Sequence, residues 1–240
     1  MGEEEDKQNI VIAIDGFSST GKSTIAKQLA KQLNYIYVDT GAMYRAVTYF
    51  ALENHLIGEG FFHSEQLIEK LNGINITFRF NEALGFAEVY LNGKNIEKAI
   101  RTLKVSSFVS LVSTISEVRQ KLVEQQQLMG KDKGIVMDGR DIGTVVFPKA
   151  ELKIFMRASA ETRAQRRYKE LLERGHNLSY NDVLENVTTR DQIDSTREDS
   201  PLVKADDAIE IDNSDLTIEE QIKTLLKLAE AIASKKRPSK

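Results

Sequence analysis

The sequence predicts an α/β fold in which a five-stranded parallel sheet is flanked by helices. Five short apolar runs are typical of buried parallel strands: residues 10–14, 35–38, 135–137, 152–156 and 208–211. Helical patterns separate these runs, as repeated strand–helix units require. Between the second and third runs the pattern alternates instead, which indicates a small added β-region.

A phosphate-binding loop follows the first predicted strand. Residues 16–23 read Gly-Phe-Ser-Ser-Thr-Gly-Lys-Ser, which matches the pattern G-x-x-x-x-G-K-[ST]. The apolar residues after the loop recur three and four positions apart and predict an amphipathic helix: Ile25, Ala26, Leu29, Ala30 and Leu33. Strand, loop and helix in this order predict a P-loop NTPase core with a nucleoside-triphosphate site.

The residue types in this loop suit phosphate binding. Glycines let backbone N–H groups curve around an anion, and the helix N-terminus adds partial positive charge. We expect Lys22 to reach the terminal phosphates as a catalytic residue and the Ser23 hydroxyl to ligate Mg²⁺. The residues expected to bind the triphosphate are Gly16, Ser18, Ser19, Thr20, Gly21, Lys22, Ser23 and Thr24.

Polar residues follow the second and third long strands of the predicted sheet. Residues 39–45 read Asp-Thr-Gly-Ala-Met-Tyr-Arg, and residues 138–143 read Asp-Gly-Arg-Asp-Ile-Gly. Because ligands bind beyond the carboxyl ends of parallel strands, we expect both segments to face the phosphate loop. Asp138 ends an apolar strand, where a carboxylate can hold Mg²⁺ through water. Spacing alone supports a turn or helix cap at Asp138 equally well.

The chain departs from the strand–helix pattern between residues 60 and 100. Residues 74–80 and 88–91 alternate as antiparallel strands do, and Asn92-Gly93 is typical of a hairpin turn. We interpret residues 60–100 as an insertion on the substrate side of a core made of residues 9–59 and 101–230. The ends, residues 1–8 and 234–240, are expected to be flexible tails.

Arginines with helical spacing follow the fourth long strand. Arg163, Arg166 and Arg167 share one helix face, which is either a solvated face or a lid that closes over a transferring phosphoryl group. We predict a helical lid over about residues 157–185. Further along, Arg190, Asp194 and Arg197 also share a face, as a salt-bridge ladder or as phosphate ligands. The last helix is predicted from a capping box at Thr217 and Glu220.

Composition excludes several classes of function. The 240 residues carry a formal charge of −3, which argues against a nucleic-acid binder. There is no cysteine, so disulfides, thiolate zinc sites and thiol nucleophiles are excluded. No apolar run approaches membrane length, and the acidic start is no signal peptide. We therefore expect a cytoplasmic monomer with no membrane partner.

The longer motifs resemble those of the bacterial cytidylate kinase family. The matching segments are Asp15-Gly16 with the phosphate loop, residues 39–45, Ile100-Arg101-Thr102, residues 139–148 and residues 190–197. The resemblance extends from about residue 9 to 230, and Gly-Arg-Asp-Ile-Gly-Thr-Val-Val-Phe-Pro at 139–148 is its most specific part. It implies transfer of the γ-phosphoryl group of ATP, with Mg²⁺, to CMP or dCMP, giving ADP and CDP or dCDP.

The resemblance also implies roles for individual residues. Three arginines are similar to ligands of the acceptor's phosphate: Arg45, Arg140 and Arg197. Three residues resemble those that read cytosine: Ser110, Arg119 and Asp141. Three more resemble those that reach sugar and phosphate: Thr40, Arg190 and Asp194. In the lid, the resemblance leaves open whether Arg163 or Arg167 contacts the transferring phosphoryl group.

Three residues depart from the family pattern. Phe17 stands where proline is usual, Ser19 replaces a common glycine, and Ile193 occupies a position that is arginine in some members. Phe17 and Ser19 bear on the rigidity of the phosphate loop. Ile193 implies one contact fewer to the sugar or phosphate than in members with arginine at this position.

Two other functions stay open at this point. One is another P-loop small-molecule kinase with UMP, AMP or shikimate as acceptor, which would differ in the acceptor pocket. The other is a GTPase switch, which needs N-K-x-D and D-x-x-G motifs that the chain lacks.

Overall fold

The computed structural model describes residues 8–83 and 85–234. The strands in these ranges are β1 Val11–Gly16, β2 Ile36–Asp39, β3 Ile57–Gly58, β4 Phe61–Phe62, β5 Ile76–Asn81, β6 Phe86–Leu91, β7 Lys94–Asn95, β8 Ile135–Gly139, β9 Leu152–Arg157 and β10 Ile209–Asp212. The α-helices are α1 Lys22–Leu33, α2 Thr40–Glu53, α3 Ser64–Lys70, α4 Leu103–Val112, α5 Ser116–Met129, α6 Ala160–Glu173, α7 Tyr180–Thr196 and α8 Ile218–Ala233. Residues 1–7 and 235–240 of the predicted tails lie outside the described ranges.

The five predicted long strands form one parallel sheet. Its strand order is β10-β9-β1-β8-β2, and every neighbouring pair runs parallel. The central strand β1 is therefore bonded on both sides, with Asp15 in register with Gly139 of β8 and Phe155 of β9. This confirms the predicted fold class and places the carboxyl ends of all five strands along one edge.

Helices cover both faces of the sheet because successive side chains of β1 point to opposite sides. Ile12 and Ile14 pack in a cluster with residues of α1 and α8, whereas Val11 and Ala13 pack in a second cluster with residues of β2 and β8. Such two-sided burial explains why the strand is apolar throughout and does not alternate. Helix α8 begins at the predicted capping box, in which Thr217 and Glu220 each bind the other's backbone N–H.

The region between β2 and α4 contains antiparallel strands, as the alternating pattern predicts. Strands β5 and β6 pair from Ile76 with Leu91 to Asn81 with Phe86, and β6 turns into β7 at Asn92-Gly93. Both turn residues have positive φ, 49° and 82°, which is why Asn-Gly suits this hairpin. The small sheet of β3 and β4 was not predicted, because two-residue strands leave no periodic signal.

The antiparallel region joins the core through specific contacts, and helices α6 and α7 pack on each other. On α5, Lys121 Nζ donates to the Leu71 carbonyl at 2.7 Å and Gln125 Nε2 donates to the Ile76 carbonyl at 2.7 Å. Lys27 Nζ of α1 lies 3.5 Å from the ring centre of Phe86. Helices α6 and α7 pack on each other through their own small cluster, formed by Ala164, Leu171, Val183 and Val187.

Within residues 8–83 and 85–234, no helix combines the length and the apolar character that crossing a lipid bilayer requires.

The burial pattern predicts which leucine carries core stability. Leu29 is fully buried between α1 and the sheet, so Leu29→Ala should lower the free energy of unfolding by about 2–5 kcal/mol. Leu128 on α5 is 72% exposed, and Leu128→Ala should change the free energy of unfolding by no more than about 0.5 kcal/mol. Urea unfolding followed by far-UV circular dichroism measures both. Equal losses in the two variants would contradict the packing described above.

Candidate active site

A cleft of about 1480 Å³ runs along the carboxyl edge of the sheet. All of the predicted site residues line it except Gly16 and Arg163. Pockets for a single drug-sized molecule commonly measure about 300–1,000 Å³, so this cleft is large enough for two substrates side by side. The phosphate loop forms one part of the cleft, and α2, α4 and α7 form the other.

The phosphate loop has the curved backbone that its sequence predicts. Gly16 passes so close to β9 that a Cβ there would lie 2.0 Å from the Met156 carbonyl oxygen, so only glycine fits. Gly21 has φ of 90° and Ser19 has φ of 60°. Glycine adopts such left-handed conformations without strain, which gives a physical reason for the glycine that is common in place of Ser19.

Lys22 is buried under the loop rather than extended into solvent. Its Nζ donates to the Phe17 carbonyl at 2.6 Å and to Thr20 Oγ1 at 3.3 Å. Burial, assisted by repulsion from Arg140, lowers the pKa of the Lys22 ammonium below its usual value, while Asp138 and Asp15 act in the opposite direction. The ammonium is thus held beside the backbone amides of the loop with little water to weaken its field.

Asp138 accepts hydrogen bonds from hydroxyl groups on two other elements. Ser23 Oγ of α1 donates to Oδ2 at 2.9 Å, and the Tyr37 hydroxyl of β2 donates to Oδ1 at 2.9 Å. A cap would instead accept from a backbone N–H close in sequence, so the geometry favours the metal-site interpretation. Burial raises the pKa of the Asp138 carboxyl to about 6, and the nearby Asp39 adds to the rise.

Asp39 orients Arg45, which the resemblance predicts to bind the phosphate of the acceptor. Its carboxylate accepts from the Ala42 amide at 2.8 Å, as the N-cap of α2, and from Arg45 at 2.9 Å and Arg101 at 2.8 Å. Burial favours the neutral acid, but Arg45 and Arg101 outweigh it and keep the pKa of Asp39 well below its usual value. Arg101 also pairs with Glu97 and was given no role by the sequence.

Arg45, Arg140, Arg167 and Arg190 form a cluster of like charges in the cleft. Burial lowers the pKa of Arg190 to about 9, and repulsion by Arg140, Arg45 and Arg167 contributes to this shift. Burial likewise lowers the pKa of Arg45 to about 10. Arg45 Nε and Arg190 Nε are buried without a hydrogen-bond partner. A bound dianion would relieve the repulsion and satisfy these donors.

Aspartate and serine side chains orient the remaining acceptor-side groups. Arg140 Nε donates to Asp194 Oδ2 at 2.8 Å, and Arg190 donates to Ser106 Oγ at 3.1 Å. The Thr40 hydroxyl donates to the Asp138 carbonyl at 2.7 Å.

Arg197 lies inside the protein and not on a surface ladder. It is 7% exposed, donates to Ser113 Oγ at 3.1 Å and to the Ser200 carbonyl at 2.6 Å, and lies 3.9 Å from Asp194. Ile193, the departure on the same helix, is half-buried and is not among the residues lining the cleft.

A buried polar pocket surrounds the pair of Arg119 and Asp141. Arg119 is 2% exposed; it donates to the Asp141 carboxylate and to the Ser113 carbonyl, the latter at 3.3 Å. Its guanidinium also lies 5.6 Å from the ring centre of Tyr44. Ser110 Oγ, the Tyr44 hydroxyl and Arg119 Nε are buried without a hydrogen-bond partner. Such groups are costly unless a ligand pairs with them, so the pocket suits a polar ligand.

Arg163 lies on α6, within the predicted lid range, but its side chain contacts the phosphate loop and does not line the cleft. It is 5% exposed and donates to the Ser18 carbonyl at 3.0 Å and to Asp191 at 2.5 Å, and the Ser18 amide donates to the same carboxylate at 3.2 Å. The guanidinium lies 5.3 Å from the ring centre of Phe17, which packs edge-on against Phe155 at 5.9 Å. Arg163 therefore binds the loop on the side away from the cleft. The aromatic contacts restrict the motion of Phe17, the residue that stands where proline is usual. Arg167, by contrast, lines the cleft.

Sequence reasoning missed several polar residues of the cleft. Ser106, Ser110 and Ser113 are spaced four and three apart and form one buried polar face at α4, yet only Ser110 was singled out. Tyr44 lies four residues after Thr40, so the two share a face of α2. On the phosphate-loop side, Arg166 Nη2 donates to the Asn213 carbonyl at 2.7 Å, and Asn213 Nδ2 donates to the Thr20 carbonyl at 2.7 Å. The helical spacing was a usable signal for the serines and Tyr44, whereas Asn213 had none.

Comparison with known proteins agrees with this geometry. The family model described as cytidylate kinase matches residues 12–231. A cytidylate kinase of Flavobacterium johnsoniae is 70% identical over 92% of this chain and 96% of its own length. Cytidylate kinases of Bacteroides fragilis and Porphyromonas gingivalis are 57% and 53% identical, over 91% and 90% of this chain and 96% and 94% of their own lengths. A family model that matches nearly the whole chain, together with relatives this similar, shows that the chain belongs to the cytidylate kinase family.

Proposed function

We propose that this chain transfers the γ-phosphoryl group of ATP to CMP or dCMP, giving ADP and CDP or dCDP. The observation that carries the proposal is the arrangement of a single cleft. A phosphate loop with a buried lysine lies at one end, and the arginine cluster adjoins the Arg119–Asp141 pocket at the other. A donor triphosphate and an acceptor monophosphate can therefore meet with their phosphates between the two ends.

The chain's own residues supply positioning and charge. Phosphoryl transfer needs little covalent help from the protein and depends on neutralising the charge of two nucleotides that otherwise repel. On the donor side this task falls to Lys22 and the loop amides. On the acceptor side it falls to Arg45, Arg140, Arg190 and Arg197, with Arg167 beside the transferring group. Because Asp39 already orients Arg45 and Asp194 already orients Arg140, these two arginines need little reorganisation when charge develops.

The residues beside the loop fit a magnesium ion bound with ATP. Hydroxyl and carboxylate oxygens are the ligands that Mg²⁺ prefers, and the Ser23–Asp138 pair offers one of each. No group of three His, Cys, Asp or Glu side chains suited to a metal occurs in the described ranges, so these two side chains would hold the ion with help from phosphates and water. When bound, the ion would neutralise phosphate charge.

The Arg119–Asp141 pocket favours cytosine over uracil. The Asp141 carboxylate can accept from the exocyclic amino group of cytosine, and Arg119 can donate to its ring acceptors. Uracil in the same pose would place carbonyl lone pairs against the carboxylate and an N–H against a donor. A pocket built to pair with polar groups rejects such an analogue strongly, because its buried groups are left unpaired. This favours CMP or dCMP over the UMP, AMP or shikimate acceptors.

A monomeric state and a cytoplasmic location stay predictions. Light scattering checks the first, and cell fractionation checks the second.

Base discrimination tests the pocket. We expect kcat/KM for CMP to exceed that for UMP by about two orders of magnitude, and Asp141→Ala to narrow the ratio mainly by lowering CMP activity. Asp132 is exposed at the opposite edge of the sheet, so Asp132→Ala serves as the matched control and should keep the ratio. Steady-state assays of ADP release with CMP, dCMP, UMP, AMP and shikimate measure these values. Comparable CMP and UMP efficiencies in the unmodified enzyme would refute the pocket assignment, and turnover with shikimate alone would refute the proposed function.

Replacing Lys22 tests the donor end. Lys22→Ala should lower kcat by at least about two to three orders of magnitude, since a buried positive donor next to the phosphates is lost. Lys31 lies exposed on the same helix α1, so Lys31→Ala should keep kcat within about twofold. Circular dichroism confirms that each variant is folded. A folded Lys22→Ala enzyme with normal turnover would remove Lys22 from the catalytic residues.

Arg163 and Arg167 should respond differently to replacement. Arg163→Lys removes the hydrogen bond to the Ser18 carbonyl and weakens a buried ion pair, so we expect about 1–3 kcal/mol less stability and a raised KM for ATP. Arg167→Lys should leave stability within about 0.5 kcal/mol and lower kcat, because lysine cannot form the two-pronged phosphate contact. Thermal unfolding and initial rates separate the two effects. Stability loss in Arg167→Lys together with an unaffected Arg163→Lys would reverse the two roles.

A further inference from the structure

We propose that Asp15 is a positioning residue that fixes the base-reading Asp141 relative to the phosphate loop. The inference rests on the proposed role of Asp141 in reading the acceptor base. Asp15 itself touches neither end of the cleft that the substrates occupy: it is 5% exposed and is not among the lining residues.

The carboxylate of Asp15 binds two consecutive amides just after Asp141. Oδ1 accepts from the Ile142 amide at 2.8 Å, and Oδ2 accepts from the Gly143 amide at 2.7 Å. Both oxygens are thus used at good distances, which fixes the rotation of the carboxylate as well as its position.

These amides open the short π-helical turn Ile142–Val146. The first N–H groups of any helical turn lack partners within it, and the preceding residue usually caps them with its own side chain. Here the preceding residue is Asp141, whose side chain makes no cap bond and pairs with Arg119 instead. Asp15 therefore supplies from another strand the cap that Asp141 does not, and this leaves the Asp141 carboxylate free to face the base pocket.

The surroundings are shaped for this contact. A Cβ on Gly143 would lie 3.3 Å from Asp15 Oδ2 and 3.1 Å from Lys153 Cδ, so glycine permits the close approach of the turn. Burial raises the pKa of the Asp15 carboxyl to about 7, while the Gly143 and Ile142 amides act against the rise by stabilising the charged form. A buried carboxylate is unfavourable unless its bonds compensate, and these two amides offset part of the cost of burial.

Asp15 also directly precedes Gly16 of the phosphate loop on the central strand. Asp15 therefore connects two parts of the site. Its backbone continues into the phosphate loop, and its side chain binds the turn that follows Asp141. Loss of the carboxylate should misplace Asp141 while leaving the loop itself in place. The expected signature is weaker base reading with little change on the ATP side.

The decisive experiment compares Asp15→Asn with the unmodified enzyme for CMP and UMP. Asparagine keeps the size of aspartate but points an amide donor at one of the two backbone donors. We expect the CMP:UMP ratio of kcat/KM to fall about tenfold or more, mainly through a higher KM for CMP, while KM for ATP stays within about threefold. Asp132→Asn removes the charge of an exposed carboxylate at the opposite edge of the sheet and should keep the ratio.

The outcomes separate this inference from the proposed function. An unmodified enzyme that discriminates CMP from UMP, with an unchanged ratio in folded Asp15→Asn, overturns the inference alone. An unmodified enzyme without discrimination overturns the pocket assignment and the inference with it. If Asp15→Asn does not fold, Gly143→Ala is the second variant, because the added methyl group crowds the same carboxylate. The same fall in the ratio supports the inference, and an unchanged ratio overturns it.

Discussion

The burial of many positive charges in one cleft is the constraint on which the structure depends. A site for two phosphorylated substrates needs cations in a place that excludes water, yet buried cations repel one another and lose their hydration. For several of the buried cations in and around the cleft, the protein meets this requirement with an aspartate from another element. Asp39 holds Arg45 and Arg101, Asp194 holds Arg140, Asp191 holds Arg163, and Asp141 holds Arg119. These aspartates therefore orient the cations and also offset the cost of burying their charge.

The parallel sheet brings these aspartates together. Asp15, Asp39 and Asp138 stand at or next to the carboxyl ends of β1, β2 and β8, which are neighbours in the sheet, and Asp39 is in register with Asp138. The same residue type has three different tasks there. Asp15 caps a turn, Asp39 orients two arginines, and Asp138 accepts from two hydroxyl groups. The neighbours of each carboxylate decide its role, and the position along the strand does not.

Contacts on the side away from the cleft fix the phosphate loop in place. Arg163 and Asp191 bind both sides of the Ser18 backbone, Phe17 packs against Phe155, and Asn213 binds the Thr20 carbonyl. A loop fixed at several points keeps its amides aimed at a phosphate without rearrangement, which is the condition for strong electrostatic catalysis. The support comes from helices α6 and α7 and from the end of β10, so the phosphate loop depends on segments far apart in the sequence.

The sequence by itself determined the five strands of the parallel sheet, the phosphate loop and many of the residues that line the cleft. Its local patterns are strong: apolar runs mark β1, β2, β8, β9 and β10, and one loop motif and one ten-residue motif mark the two ends of the cleft. Helical spacing also contained the buried serine face at α4, but only Ser110 of that face was named, and it was named from the family resemblance. Only the tertiary structure decided which partner each charged group has. It directed Arg163 to the backbone of the phosphate loop rather than into the cleft, gave Asp138 two hydroxyl donors, and joined Asp15 to residues more than a hundred positions away. Such pairings depend on distances across the sheet, and no local pattern of residues records them.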